Sequence, residues 1–249
     1  MQKNSHKVAL ITGSARRMGA AMADKLHENG FNIVIHYHAS HEDAERLSAE
    51  LNKKRKHSAI TMRADLQEIT SLEALVNQAA ETWGRLDVLV NNASRFYKTE
   101  VGEMTEYSWD ELINTNLKAP LFLSQAAAPH LKKTNGCIIN ITDIHGERPL
   151  RDYAVYSISK AGLIMLTKQL AKELGPEIRV NAISPGAIVW PEGQNKLSEE
   201  SKKKIIERTA LQRHGDPDMI AKAALFLVQD ADFITGQVLV VDGGRLLNA

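Results

Sequence analysis

The sequence predicts one α/β domain: a doubly wound, seven-stranded, mostly parallel sheet with helices on both faces. Three observations predict it. Short runs rich in Val and Ile alternate along the chain with longer stretches of helical periodicity. Those runs are apolar almost throughout, as in strands covered on both sides, rather than at every second residue. No linker, repeat or low-complexity segment divides the 249 residues, so a single domain spans 1–249. Right-handed crossovers between parallel strands wind such a sheet in two directions and leave ligands at the strands' carboxyl ends.

The elements follow in order. Residues 7–12 (KVALIT) read as the first strand, and 17–29 as a helix closed by Gly30. Residues 32–37 (NIVIHY) form the second strand and 41–54 the second helix. Further strands are expected at 58–62, 86–90 and 136–141, with helices at 72–83 and 108–131 between them. A long helix at 153–174, a strand at 179–183, a helix at 216–228 and a last strand at 237–241 complete the series. The irregular stretch 186–195, with Trp190, Pro191 and Gly193, follows a strand and is expected to begin a lid over about 187–210.

Composition narrows the function classes. The chain is 43% hydrophobic and 24% charged with a formal net charge of +1, which provides no global field for nucleic acid or membrane surfaces. The first seven residues (MQKNSHK) are polar and lack the apolar core of a signal peptide, and no apolar run approaches a membrane span. A cytoplasmic location is expected, and no metal site. The single cysteine, Cys137, cannot form an internal disulfide and reads as a buried, inert strand residue. The basic runs 53–56 (KKRK) and 202–204 (KKK) read as solvated helix faces.

The loop Thr12-Gly13-Ser14-Ala15-Arg16-Arg17-Met18-Gly19 joins the first strand to the first helix. A tight turn with bare backbone, opening a helix, lets amides and a helix N-terminus face a pyrophosphate. The end of the second strand selects the dinucleotide, because a free ribose 2′-hydroxyl calls for an acid there and a 2′-phosphate calls for cations and donors. The sequence offers His36-Tyr37-His38-Ala39-Ser40 and no acid until Glu42, with Arg17 within reach. NADP(H) is therefore the expected cofactor. His36 and Tyr37 also fit as plain strand residues.

Tyr156 and Lys160 lie four apart on one face of the long helix. A phenol titrates near 10, and a neighbouring ammonium favours its ionised form, as general acid catalysis near neutrality requires. The pair alone is a weak signal. Its setting is specific: Thr12-Gly13-x5-Gly19, Asn91-Asn92-Ala93, Asn116, Tyr156-x3-Lys160, Pro185-Gly186 and Asp242-Gly243-Gly244 occur in one order along nearly the whole chain.

In that order and spacing the chain resembles the short-chain dehydrogenase/reductases. The resemblance implies a Rossmann fold, a nicotinamide cofactor and roles for particular residues. Tyr156 would be the proton donor, and Lys160 would hold the nicotinamide ribose and acidify the tyrosine. Asn116 would kink a helix and hold a relay water. Asp65-Leu66 would meet the adenine side, Asn92-Ala93 the cofactor groove and Pro185-Gly186 the nicotinamide. Gly13, Met18 and Gly19 would line the phosphates, with His38 and Ser40 near the 2′-phosphate.

Two departures refine this. Arg17 replaces the middle glycine of the family's loop, and Asp143 replaces the usual serine thirteen residues before the tyrosine. A serine orients a carbonyl, whereas an aspartate can carry a proton or accept from a ring N–H or amino group. Both departures, with His36-Tyr37-His38-x-Ser40 and Asn92-Ala93-Ser94-x-Phe96-Tyr97, resemble the pteridine reductases. In those enzymes a pterin lies between the nicotinamide and an aromatic ring. Phe96 fits that ring, while Ser94 and Arg17 would touch cofactor phosphate and the pterin edge. Core packing is the plain alternative for Phe96, and a turn cap for Asp143. Ala39 departs from the arginine of trypanosomatid pteridine reductases, and Ala187 to Trp190 lack a hydroxyl residue after Pro185-Gly186. Trp190 reads as a wall of the substrate site or as a lid anchor.

The expected activity is NADPH-dependent reduction of a pterin or folate C=N bond. Its rivals are reduction of a 3-oxoacyl thioester or other carbonyl, and a non-catalytic NADPH-binding regulator. The resemblance also implies a homotetramer, assembled through 108–131, 153–174 and the tail 238–249.

Overall fold

The computed structural model describes residues 6–248; the polar start of the chain and Ala249, the end of the expected assembly tail, lie outside the described residues. Seven strands form one sheet: β1 (Val8–Ile11), β2 (Asn32–Tyr37), β3 (Ala59–Arg63), β4 (Val88–Asn91), β5 (Cys137–Ile141), β6 (Arg179–Pro185) and β7 (Val238–Val241). Their order is β3-β2-β1-β4-β5-β6-β7, and every ladder among the described residues is parallel, which is stricter than the mostly parallel sheet expected. The winding reverses between β1 and β4, which opens a crevice at their carboxyl ends.

Side-chain alternation divides the core into two layers. On one face Ala9, Ile11, Ile33, Ile35 and Ile139 pack with Met22 and Leu26 of α1 (Arg17–Glu28), Leu51 of α2 (His41–Lys54) and Leu227 of α8 (Pro217–Gln229). On the other, Val8, Leu10, Leu89 and Val180 pack against α3 (Ile69–Trp83), α5 (Ala119–Lys132) and α6 (Ala154–Leu174). Each of the Val, Leu, Ile and Met side chains contributes roughly 1.5–3 kcal/mol on burial, which explains why the strands are apolar on both faces.

Two details differ from the sequence reading. The single helix expected at 108–131 is α4 (Glu106–Ile113) and α5, joined by a π-helical turn over Asn114–Lys118. Pro120 lacks the N–H that would continue the α-helical ladder, and the wide turn brings Asn116 inward. The run 53–56 is not wholly a solvated face. Arg55 turns inward and donates to the carbonyls of His27 (3.1 Å) and Phe31, tying the end of α2 to α1 and to the start of β2. The second basic run lies on α7 (Glu199–Glu207), where Lys202 and Lys204 pair with Glu199 and Glu200 at 2.6 Å. Cys137 is buried, and burial pushes its thiol up to about 11. No described helix is long and apolar enough to cross a membrane.

Candidate active site

A cavity of about 660 Å³ runs along the carboxyl end of the sheet. Its floor is the β1–α1 loop. Gly13 takes φ 60°, and a Cβ there would lie 3.0 Å from Ala93 Cα, so the loop approaches the end of β4 as only glycine allows. Thr12 Oγ1 accepts from Asn92 N (2.9 Å) and Ala93 N (3.1 Å), and Asn92 Nδ2 donates to the carbonyls of Thr12 (2.8 Å) and Gly13 (3.1 Å). These bonds clamp the two strands at the switch point. Arg17 takes a left-handed φ of 57° in this loop, a conformation that favours glycine.

No described side chain caps the first turn of α1, and Arg16, Arg17, Met18 and Gly19 line the cavity there. Uncapped amides at a helix N-terminus beside two guanidinium groups suit an anion. His38, Ala39 and Ser40 extend the wall beyond β2, with Asp65 and Leu66 opposite. His38 Nε2 lies 3.6 Å from an Asp65 carboxylate oxygen. This end can accept a dinucleotide's phosphates and adenosine.

His36 does something the strand reading did not anticipate. Its Nδ1 accepts from Gly13 N at 3.0 Å, which leaves Nε2 to donate to the Ala64 carbonyl at 3.2 Å. Burial lowers its pKa from 6.5 to about 4, so the ring is neutral and holds the loop. A histidine two residues before His38 on β2 was the available signal. Both ring nitrogens are engaged by the chain, so His36 positions the loop rather than binding a ligand.

At the other end Tyr156 and Lys160 project from one face of α6, both buried. Tyr156 Oη donates to Asp143 Oδ2 at 2.8 Å, while Asp143 Oδ1 accepts from His145 N at 2.8 Å. Asp143 is thus a turn cap and the phenol's partner at once. Gly146 permits this approach, since a Cβ there would meet Lys160 C at 2.9 Å. The expected acidification of Tyr156 by Lys160 is not what these groups produce. Burial, then the Asp143 charge and its hydrogen bond, push the phenol well above 10. Lys160 Nζ donates to the Ile141 carbonyl at 2.9 Å and sits 5.7 Å from the tyrosine ring centre. Burial lowers its pKa to about 8, with the Asp143 charge opposing that shift.

Asn116 lies in the π-helical turn between α4 and α5, and its side chain is committed to neighbouring groups. It accepts from Arg95 N (2.8 Å) and Ser94 Oγ (3.1 Å), and donates to Arg95 O (3.0 Å) and Ser159 Oγ (3.1 Å). It fixes the segment carrying Ser94 and Phe96 and leaves no side-chain valence for a relay water. Phe96 stacks on Tyr153 (4.6 Å between centres) and meets Tyr156 edge-on (4.8 Å). Phe96 is therefore packed in a small aromatic cluster and still lines the cavity. Tyr153 was missed, although it opens the helix of the Tyr156 pair.

Pro185, Gly186 and Trp190 close the far wall. A Cβ on Gly186 would lie 2.7 Å from Asp242 Cα, which brings the end of β7 against this segment. Arg17 Nη2 donates to the Trp190 carbonyl at 2.7 Å, joining the β1–α1 loop to the segment before α7. The Trp190 ring packs on His214 (4.4 Å) with Lys202 5.8 Å above it, so it is both a cavity wall and an anchor. Every cofactor and substrate residue expected from the sequence lines this one cavity; of the catalytic set, only Asn116 stands behind the wall.

The family profile described as Enoyl-(Acyl carrier protein) reductase matches residues 13–245. The chain belongs to the short-chain dehydrogenase/reductase family. A protein named as ketoacyl reductase 2 of the granaticin polyketide synthase, from Streptomyces violaceoruber, is 38% identical over 245 residues, covering 96% of each chain. Pteridine reductase 1 from Leishmania tarentolae is 35% identical over 281 residues, again 96% of each. The 3-oxoacyl-(acyl-carrier-protein) reductase FabG of Staphylococcus aureus is 37% identical over 244 residues, 97% of this chain and 98% of that protein. This short-chain reductase is thus an oxidoreductase of a family that works with nicotinamide cofactors.

Proposed function

We infer that the chain is an NADPH-dependent pteridine reductase acting on a C=N bond of a dihydropterin or folate-type ring. The observation that carries this reading is the 2.8 Å hydrogen bond between Tyr156 Oη and Asp143 Oδ2. Across this bond the phenol and the carboxylate form one proton-carrying pair placed to serve a ring nitrogen, and the carboxylate can also accept from a ring N–H or amino group. A ketone oxygen placed there would meet the carboxylate's negative charge instead of a hydroxyl donor.

NADPH, when bound, supplies the hydride. Gly13, Met18 and Gly19 would hold its phosphates against the uncapped end of α1, and Arg17, His38 and Ser40 favour a 2′-phosphate. Asp65, Leu66, Asn92 and Ala93 would flank the adenosine side and the groove, with Lys160, Pro185 and Gly186 near the nicotinamide ribose. Phe96 offers an aromatic face to a planar ring, worth about 1 kcal/mol beyond burial. Ser94, Arg17 and Trp190 border that ring's place. Tyr156 holds the proton, Asp143 keeps it there, and Asn116 fixes the Ser94–Phe96 wall. The segment 187–210 acts as a lid latched by the Arg17–Trp190 bond. The location is cytoplasmic. A homotetramer is supported by exposed apolar residues on α6 (Ile158, Met165) and around the C-terminal end (Phe233, Leu247).

A second reading, reduction of a 3-oxoacyl thioester, is favoured by the names and identities of two relatives above. The test is NADPH oxidation followed spectrophotometrically with dihydropterins, dihydrofolate, folate and an acetoacetyl thioester. Turnover of a pterin or folate, abolished by Asp143→Ser, supports the first reading. Turnover of the thioester alone, surviving Asp143→Ser, replaces it with the second.

A further inference from the structure

Arg245 stands in the cavity wall with its charge unanswered. It follows Asp242-Gly243-Gly244 at the end of β7, where Gly243 (φ 66°) and Gly244 (φ 79°) both take left-handed conformations and turn the chain back. The Asp242 carboxylate locks this turn, accepting from Gly244 N and Leu246 N, each at 2.7 Å. Leu211 N donates to Gly243 O at 3.0 Å from the segment after α7. Arg148 Nη1 donates to Leu246 O at 2.9 Å from the loop that begins at Asp143. The backbone around Arg245 is therefore tied to the end of the sheet, to the lid's base and to the Asp143 loop. Its side chain lines the cavity beside Asp143, His145 and Ile205.

Among the described residues the guanidinium makes no hydrogen bond or ion pair. Both acids near it are already engaged: Asp242 caps two backbone amides, and Asp143 holds Tyr156 Oη and His145 N. Burial draws the pKa of Arg245 down, and the nearby charges of Asp143 and Asp242 offset only part of that, with Arg208 opposing them. A guanidinium partly withdrawn from water, with no hydrogen-bond or ion-pair partner of its own among the described residues, is open to an incoming anion that pairs with it.

We propose that Arg245 forms a carboxylate-binding subsite for an acidic group on the arm of the substrate whose ring lies at Asp143, Tyr156 and Phe96. The subsite rests on the pteridine reading for the ring and goes beyond it for the arm. A guanidinium presents paired N–H donors that match a planar carboxylate in two parallel bonds. It therefore selects a pterin with a glutamate-type tail over one with a neutral hydroxylated arm. A phosphate on the arm shares the oxyanion chemistry and is separated in the test.

Initial rates with NADPH are compared for the unmodified protein, Arg245→Gln and Arg245→Lys on dihydrofolate, dihydrobiopterin and a dihydroneopterin phosphate. In Arg245→Gln the KM for dihydrofolate rises at least about tenfold more than that for dihydrobiopterin, and Arg245→Lys recovers part of the difference. Equal changes for the two substrates, no change, or a larger effect on the phosphate than on dihydrofolate overturn the proposal. Failure of the unmodified protein to turn over any pterin sinks the ring reading, and the subsite is then read by equilibrium binding. Folate titrated into the NADP⁺ complex, followed by tryptophan fluorescence, binds the unmodified protein at least about tenfold more tightly than Arg245→Gln if the subsite exists. Equal binding, or none to either, removes the subsite as well. Should Arg245→Gln fail to fold, Arg245→Lys supplies the same comparison.

Discussion

Replacing His36 by Asn should make the protein less sensitive to acid while loosening its phosphate loop. The His36 ring is neutral in the fold because burial lowers its pKa from 6.5 to about 4. As pH falls through 6.5 the unfolded chain takes up a proton that the native ring refuses until about pH 4. The unfolded state thus binds more protons across that window, and stability falls with pH. The shift spans about 2.5 pH units, which at about 1.4 kcal/mol per unit removes about 3 kcal/mol between pH 7 and pH 4. For a chain of this length that is a fall in Tm of roughly 6–12 °C from this group alone. At pH 7 Asn keeps an acceptor for Gly13 N and loses the bond to Ala64 O, a destabilisation of about 1 kcal/mol. Calorimetric Tm values at pH 7, 5.5 and 4 for both proteins, subtracted at each pH, isolate the His36 contribution from that of all other groups. The variant should be the less stable at pH 7 and the more stable near pH 4, with a raised KM for NADPH. A difference that stays constant with pH would refute the neutral, loop-holding role.

Two further predictions concern the site. Asp143→Asn removes the charge that, after burial, most raises the Tyr156 pKa, so ultraviolet titration should find the phenolate at lower pH than in the unmodified protein; an unmoved phenol would place the cause in burial alone. In Gly19→Ala the added methyl would lie 2.6 Å from Gly13 O and 2.7 Å from Asn92 Nδ2, largely against backbone. Overpacking of that kind destabilises by roughly 1–3 kcal/mol, so Tm should fall by several degrees and the KM for NADPH should rise, as scanning calorimetry and initial rates will read.

The sheet, the phosphate loop and the order of the site residues are all legible in the amino-acid sequence. Apolar runs of β-branched residues separated by helical periods admit little but a covered parallel sheet, and glycines at 13 and 19 suit a tight, bare turn. The spacing of Tyr156 and Lys160 likewise puts them on one helix face from sequence alone. The meetings between segments far apart in the chain are not legible there, because they arise only when the elements pack. That Asp143 reaches Tyr156 depends on Gly146 packing against α6. The assignment of His36 to Gly13 rather than to a ligand depends on the register of β2 beside β1. Asn116 anchors Ser94 and Arg95 because the π-helical turn aims its amide at them. Arg245 reaches the cavity because the double-glycine turn after β7 carries it there. Local pattern dictates which element a residue joins; the direction of a proton or a charge depends on partners remote in the chain, and a pattern cannot show them.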